Sequence, residues 1–85
     1  MWQADRKNQF KRNYKLLNPF IQRQVDDAIE VILSSKDPRK EGDHKTARHN
    51  CIHAYSLGRQ YRILYDVIDS ENLIVFINVG THKIY

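Results

Sequence analysis

The sequence predicts an α+β domain in which a short N-terminal strand and an antiparallel two-helix hairpin pack on an antiparallel β-sheet meander. Three observations carry this. Two stretches in the first half repeat apolar residues at helical spacing, three stretches between Cys51 and Val79 are rich in β-branched and aromatic residues, and turn or breaker residues fall at the junctions. With 85 residues there is room for one small domain, spanning 1–85.

In order along the chain, Trp2 and Ala4 alternate with polar neighbours as a short edge strand would. From about Lys7 the period changes: Phe10, Tyr14 and Leu17 recur at helical spacing among Lys11, Arg12, Asn13 and Lys15, giving an amphipathic helix with a basic outer face. Asn18-Pro19 then stops one helix and starts the next, because a residue before proline avoids the helical region, asparagine caps well, and proline suits the first helical position. The second helix is expected from Pro19 to about Ser34, with Ile21, Val25, Ala28, Ile29, Ile32 and Leu33 as its apolar stripe, and Pro38 lies beyond its end. Pro38 to Asn50 shows no apolar period and reads as a basic surface loop.

The last third is expected to hold the meander. Cys51 to Leu57 forms a first strand, with Gly58-Arg59 turning into Gln60-Tyr61-Arg62-Ile63-Leu64-Tyr65-Asp66-Val67. Asp69 to Asn72 is a turn, and the run Leu73 to Val79 is apolar at nearly every position, as a strand buried on both faces in the middle of a sheet would be. Alternation puts Arg62, a lone cation among Tyr, Ile, Leu and Val, on the face opposite Tyr61, Ile63 and Tyr65. The sheet face not covered by helices is expected to carry His53, Tyr55, Arg62 and Asn78, and that face is the candidate site.

Composition narrows the class. The single cysteine, Cys51, excludes an intrachain disulfide, and no stretch is apolar enough to cross a bilayer or to serve as a signal peptide core, so a soluble cytoplasmic protein is expected. A net charge of +4 suits a polyanionic partner. His44, His49, Cys51 and His53 match no closed Cys/His template, so neither a metal nor a cofactor is expected.

Gln60-Tyr61-Arg62-Ile63-Leu64-Tyr65 resembles the Tyr-Arg-aliphatic-aliphatic-Tyr strand of the RelE/ParE superfamily of type II toxin-antitoxin toxins, and Val79-Gly80-Thr81-His82-Lys83-Ile84-Tyr85 resembles its closing Gly-x-His-x-x-Tyr segment. The resemblance covers essentially the whole chain. It implies a RelE-like mRNA interferase, an endoribonuclease that cuts mRNA in the ribosomal A site and is silenced by a cognate antitoxin. Residue by residue, it implies that Arg62 matches the RelE strand arginine and Tyr85 its terminal tyrosine. His82 stands where RelE has an arginine and the relatives YafQ and YoeB a histidine, while His53 and Tyr55 replace two RelE lysines, which brings the set closer to the histidine-containing relatives.

Those residue types suit RNA transesterification. The reaction needs a base for the 2′-hydroxyl, a cation for the phosphorane and an acid for the 5′-oxygen, and no metal. Arg62 suits the phosphate, His82 the acid, His53 the base, and Tyr85 a base, orienting or stacking role. Candidate RNA contacts are Lys45 and Arg48 in the basic loop, Tyr55, Arg59 at the turn, and Lys83 in the tail. The expected partners are an antitoxin protein, mRNA and the ribosome, with no membrane. The competing functions are a ParE-like inhibitor of DNA gyrase, which shares the fold and needs no acid-base set, and a degenerate toxin that only binds its antitoxin.

Overall fold

The computed structural model describes residues 1–46 and 51–81. Strand β1 (Gln3–Arg6) leads into helices α1 (Asn8–Leu16) and α2 (Pro19–Ser34). A single 3₁₀ turn at Pro38–Lys40 precedes β2 (Asp43–Thr46), β3 (Cys51–Leu57) and β4 (Tyr61–Ile68), and a second turn at Asp69–Glu71 precedes β5 (Leu73–Thr81). The five strands form one sheet in the order β1-β5-β4-β3-β2. Among the described residues no helix is long and apolar enough to cross a membrane.

The two helices begin and end where their residues dictate. Asn18 caps α2: its Oδ1 accepts from the Ile21 N–H at 2.9 Å, with Pro19 at the first helical position. Helix α1 has no side-chain cap, and the Lys7 N–H donates instead to Phe76 O at 3.0 Å, which ties the helix start to β5. Beyond α2, the Trp2 N–H donates to Leu33 O and its indole Nε1 to Ser35 O, both at 3.1 Å, so the N-terminus is fastened to the helix end.

The predicted architecture is the observed one, with two additions. The segment 38–50, read as a loop, contains β2, whose Asp43 to Thr46 pair antiparallel with Ala54 to Cys51. Asp-His-Lys-Thr carries no apolar residue, so an edge strand held by backbone hydrogen bonds leaves no period to read. The edge strand β1 pairs with β5 in parallel, outside the meander, with Gln3 opposite Leu73 and Arg6 opposite Phe76. This makes β5 an interior strand, as its apolarity predicts, while β4 is the middle of the five.

The core lies between the helices and one face of the sheet. Phe10 of α1, Val25, Ala28, Ile29 and Ile32 of α2, and Ile63, Tyr65, Val67, Ile74, Phe76 and Val79 of the sheet bury one another. Each fully buried Ile or Phe contributes roughly 1.5–3 kcal/mol. Tyr65, fully buried, sits at the centre: its ring centroid is 6.2 Å from that of Phe76, which is 5.8 Å from that of Phe10. Its hydroxyl donates to Pro38 O at 2.6 Å, and burial pushes the phenol well above its ordinary range, so it stays a neutral donor.

Gly42 lies against this tyrosine. A Cβ there would meet the Tyr65 Oη and the Ala54 carbonyl oxygen at 2.9 Å each, closer than real side chains come. The substitution Gly42→Ala is expected to lower the urea midpoint by an amount equivalent to about 1–3 kcal/mol with the m-value unchanged, as overpacking does.

Candidate phosphate-binding site

Arg62 is placed by register. Residues directly opposite in an antiparallel pair point to the same side of a sheet. Arg62 faces Ser56 of β3 on one side and Gly80 of β5 on the other. The neighbours are therefore a small side chain and none at all, and Ser56 is exposed while Arg62 is half-buried. Farther along the same side, Ala54 and Leu64 are buried, so this face is closed at one end and open around the arginine.

The guanidinium has donors to spare. Its Nη1 donates to the Tyr61 carbonyl at 2.9 Å. The ion pairs among the described residues join Arg39 to Asp69 and Lys40 to Asp37, and neither involves Arg62. An arginine with open donors beside a side chain of hydroxyl type and a glycine suits an oxyanion, above all the planar, bidentate approach of a phosphate.

The structure corrects the expected composition of this face. His53 lies opposite Tyr65, on the helix side of the sheet, and is 4% exposed; its ring stacks on Tyr65 at a centroid distance of 5.4 Å and an interplanar angle of 27°. Tyr55 is opposite Ile63 on that same side, packed against the core beside Ala28 and Val31 of α2. Neither shares the Arg62 side, because the pairing Ser56 to Arg62 puts the even-numbered residues of β3 there. Asn78 is 5% exposed, and its amide engages Asn13 of α1.

Of the other candidates, Arg59 is exposed in the turn between β3 and β4, and Lys45 lies in β2 opposite Ile52. Arg48, His82, Lys83 and Tyr85 lie outside the described residues, as does His49. Among the described residues no group of three His, Cys, Asp or Glu side chains is placed to hold a metal ion. One cation of the basic segment is structural: Arg39 grips Asp69 through contacts of 2.7 and 3.1 Å and donates to Val67 O at 3.2 Å, tying the Pro38–Lys40 turn to the end of β4. That hydrogen bond holds the Asp69 carboxyl below its ordinary range.

A short strand, a helical hairpin and a mixed five-stranded sheet in this order make up the RelE fold. Among solved structures, the chain is similar to the Escherichia coli RelBE toxin-antitoxin complex (20% identity, TM-score 0.78, covering 95% of this chain and 96% of that one). It is likewise similar to the RelBE2 toxin-antitoxin complex of Mycobacterium tuberculosis (21% identity, TM-score 0.80, 95% and 98%) and to a metal-bound toxin of Helicobacter pylori (14% identity, TM-score 0.83, 100% of each). No protein-family model matches the sequence, and no curated protein does.

If Arg62 takes a phosphate, Arg62→Ala is expected to reduce the slope of log affinity against log salt for single-stranded RNA by about 0.7, the share of one phosphate contact. Arg39→Ala, which removes a guanidinium already engaged by Asp69, is expected to leave the slope unchanged. Fluorescence anisotropy titrations across a salt series measure both.

Proposed function

We propose that this chain is the toxin of a type II toxin-antitoxin pair, and that it acts as a RelE-like endoribonuclease cutting mRNA at the ribosomal A site in the cytoplasm. Its partner on this reading is a small antitoxin protein that silences it. Two kinds of support converge: the fold is shared with toxins solved in complex with antitoxins, from Escherichia coli, Mycobacterium tuberculosis and Pyrococcus horikoshii, and the sequence carries the Tyr-Arg-aliphatic-aliphatic-Tyr strand and the Gly-x-His-x-x-Tyr close. The observation that carries the chemistry is Arg62, half-buried, without an acidic partner among the described residues and flanked by Ser56 and Gly80.

In the reaction, the 2′-hydroxyl loses its proton to a base and its oxygen attacks the adjacent phosphorus. The bond from phosphorus to the 5′-oxygen breaks, and an acid protonates the leaving oxygen, giving a 2′,3′-cyclic phosphate and a 5′-hydroxyl. Arg62 neutralises the phosphorane through its paired N–H donors, a contribution that grows as charge accumulates on the equatorial oxygens. His82 serves as the acid and Tyr85 as the base or as the platform that orients the scissile nucleotide. His53, stacked on Tyr65 in the core, is assigned to packing in place of the base role.

The test is toxicity and mRNA cleavage in a translating extract, with cut sites mapped by primer extension. Arg62→Ala is expected to slow cleavage by about 10²-fold or more, the scale of losing one positioned donor to a developing oxyanion, and His82→Ala by about 10² to 10⁴-fold, the scale of a general acid. Unimpaired translation together with failed DNA supercoiling would instead establish the gyrase-inhibitor alternative, and the absence of both activities would leave only an antitoxin-binding protein.

A further inference from the structure

A buried asparagine of β5 and a half-buried one of α1 meet through their side chains. Asn78 interrupts the run Leu73-Ile74-Val75-Phe76-Ile77-Asn78-Val79, and Asn13 lies half-buried on α1 beside the residues Phe10, Tyr14 and Leu17 that meet the core. Burying an amide is costly unless its hydrogen bonds are made. Here the Asn78 Oδ1 accepts from its neighbour's backbone, the Val79 N–H, at 2.8 Å, and from the Asn13 Nδ2 at 2.6 Å. The backbone donor fixes which atom of the Asn78 amide is the oxygen, and Asn13 must therefore present its NH₂ group.

The pair sits at an irregularity of the sheet. Tyr65 is opposite Phe76 while Leu64 is opposite Asn78, so Ile77 is one residue too many in β5. A bulge of this kind re-aims every side chain beyond it. With it, Ile63 faces Val79 in the core and Arg62 faces Gly80. Continued without it, the register of Tyr65 and Phe76 would bring Asn78 opposite Ile63 and Val79 opposite Arg62. A branched apolar side chain would then stand where the glycine leaves space beside the guanidinium, and an amide would enter the core.

We infer that the Asn13–Asn78 hydrogen bond pins the β5 bulge and thereby keeps the space beside Arg62 open, which makes both asparagines positioning residues for the phosphate site. The inference rests on the proposed nuclease function only for its consequence; the register itself is a property of the fold. Helix α1 is the fixed side of the lock, because Lys7 already anchors it to Phe76 O, immediately before the extra residue.

Amide-to-carboxylate substitutions separate the hydrogen bond from charge and shape. Asn13→Asp turns an acceptor toward the Asn78 oxygen and breaks the lock, whereas Asn78→Asp keeps an acceptor for both donors. The readouts are cross-strand proton contacts of Arg62 by NMR and mRNA cleavage in the translating extract, at a temperature where circular dichroism shows each variant folded. Asn13→Asp, or Asn13→Ala if the former does not fold, is expected to lose the Arg62 to Gly80 contact and at least tenfold in cleavage rate. Asn78→Asp is expected to keep the Arg62 to Gly80 contact. An Asn13 variant that retains the Arg62 to Gly80 contact overturns the lock, as does an equal loss of that contact in both carboxylate variants. Loss of the contact with full cleavage overturns the positioning role. Absence of cleavage in the unsubstituted protein removes the nuclease reading instead, and the proton contacts still decide the lock.

Discussion

Tyr65 is the residue on which the sheet and its attachments converge. Its ring lies between His53 of β3 and Phe76 of β5, its hydroxyl holds the Pro38 carbonyl, and Gly42 has no side chain because the phenol and the Ala54 backbone occupy that space. A small domain has few residues that can be wholly removed from water, so one large aromatic touching four segments does work that a larger protein spreads over many. The buried hydroxyl adds direction to this. An apolar ring would fill the volume equally well but would leave the Pro38 carbonyl without that donor, and the turn that launches β2 would be held by Arg39 alone of these two side chains.

The same residue sets the boundary between packing and function. On the core side of Tyr65, β4 presents Ile63 and Val67; one residue toward the hairpin, on the opposite side, is Arg62. The bulge in β5 lies between these two roles, opposite Leu64 and Tyr65. Upstream of it the strand fills the core with Ile74 and Phe76, and downstream it returns Val79 to the core while giving Arg62 a glycine neighbour. A regular strand cannot do both with this sequence.

Much of this was legible in the residues and some was not. Helix α2 was readable to its ends because capping, proline and the apolar stripe agreed at Asn18, Pro19 and Ser34. Strand β2 was not readable, since four polar residues on an edge owe their conformation to the partner backbone. The side of the sheet that His53 and Tyr55 occupy required the pairing register: alternation says which residues share a face within a strand, but only the three-residue turn Gly58 to Gln60, with Gly58 at a φ of +63°, determines which of them line up with Arg62. The near-continuous apolarity of β5 reads as two-sided burial, and part of it reflects the change of side at Ile77. The arginine itself was legible from sequence alone, because an uncompensated charge in an apolar strand has few structural reasons to exist.

Charge is distributed unevenly over the helical layer, and this bears on how a polyanion would meet the protein. Lys7, Lys11 and Lys15 recur every four residues on or beside α1, about 6 Å apart along the helix axis, with Arg12 nearby and no acid between them. The acids of the hairpin, Asp26, Asp27 and Glu30, lie in the middle of α2, where Asp26 accepts from the Tyr14 hydroxyl at 2.9 Å. At physiological ionic strength such a field fades within about 8 Å, so the stripe acts on what already touches it. Its lysines add phosphate contacts only for a polyanion laid along α1, and each such contact steepens the salt dependence of binding.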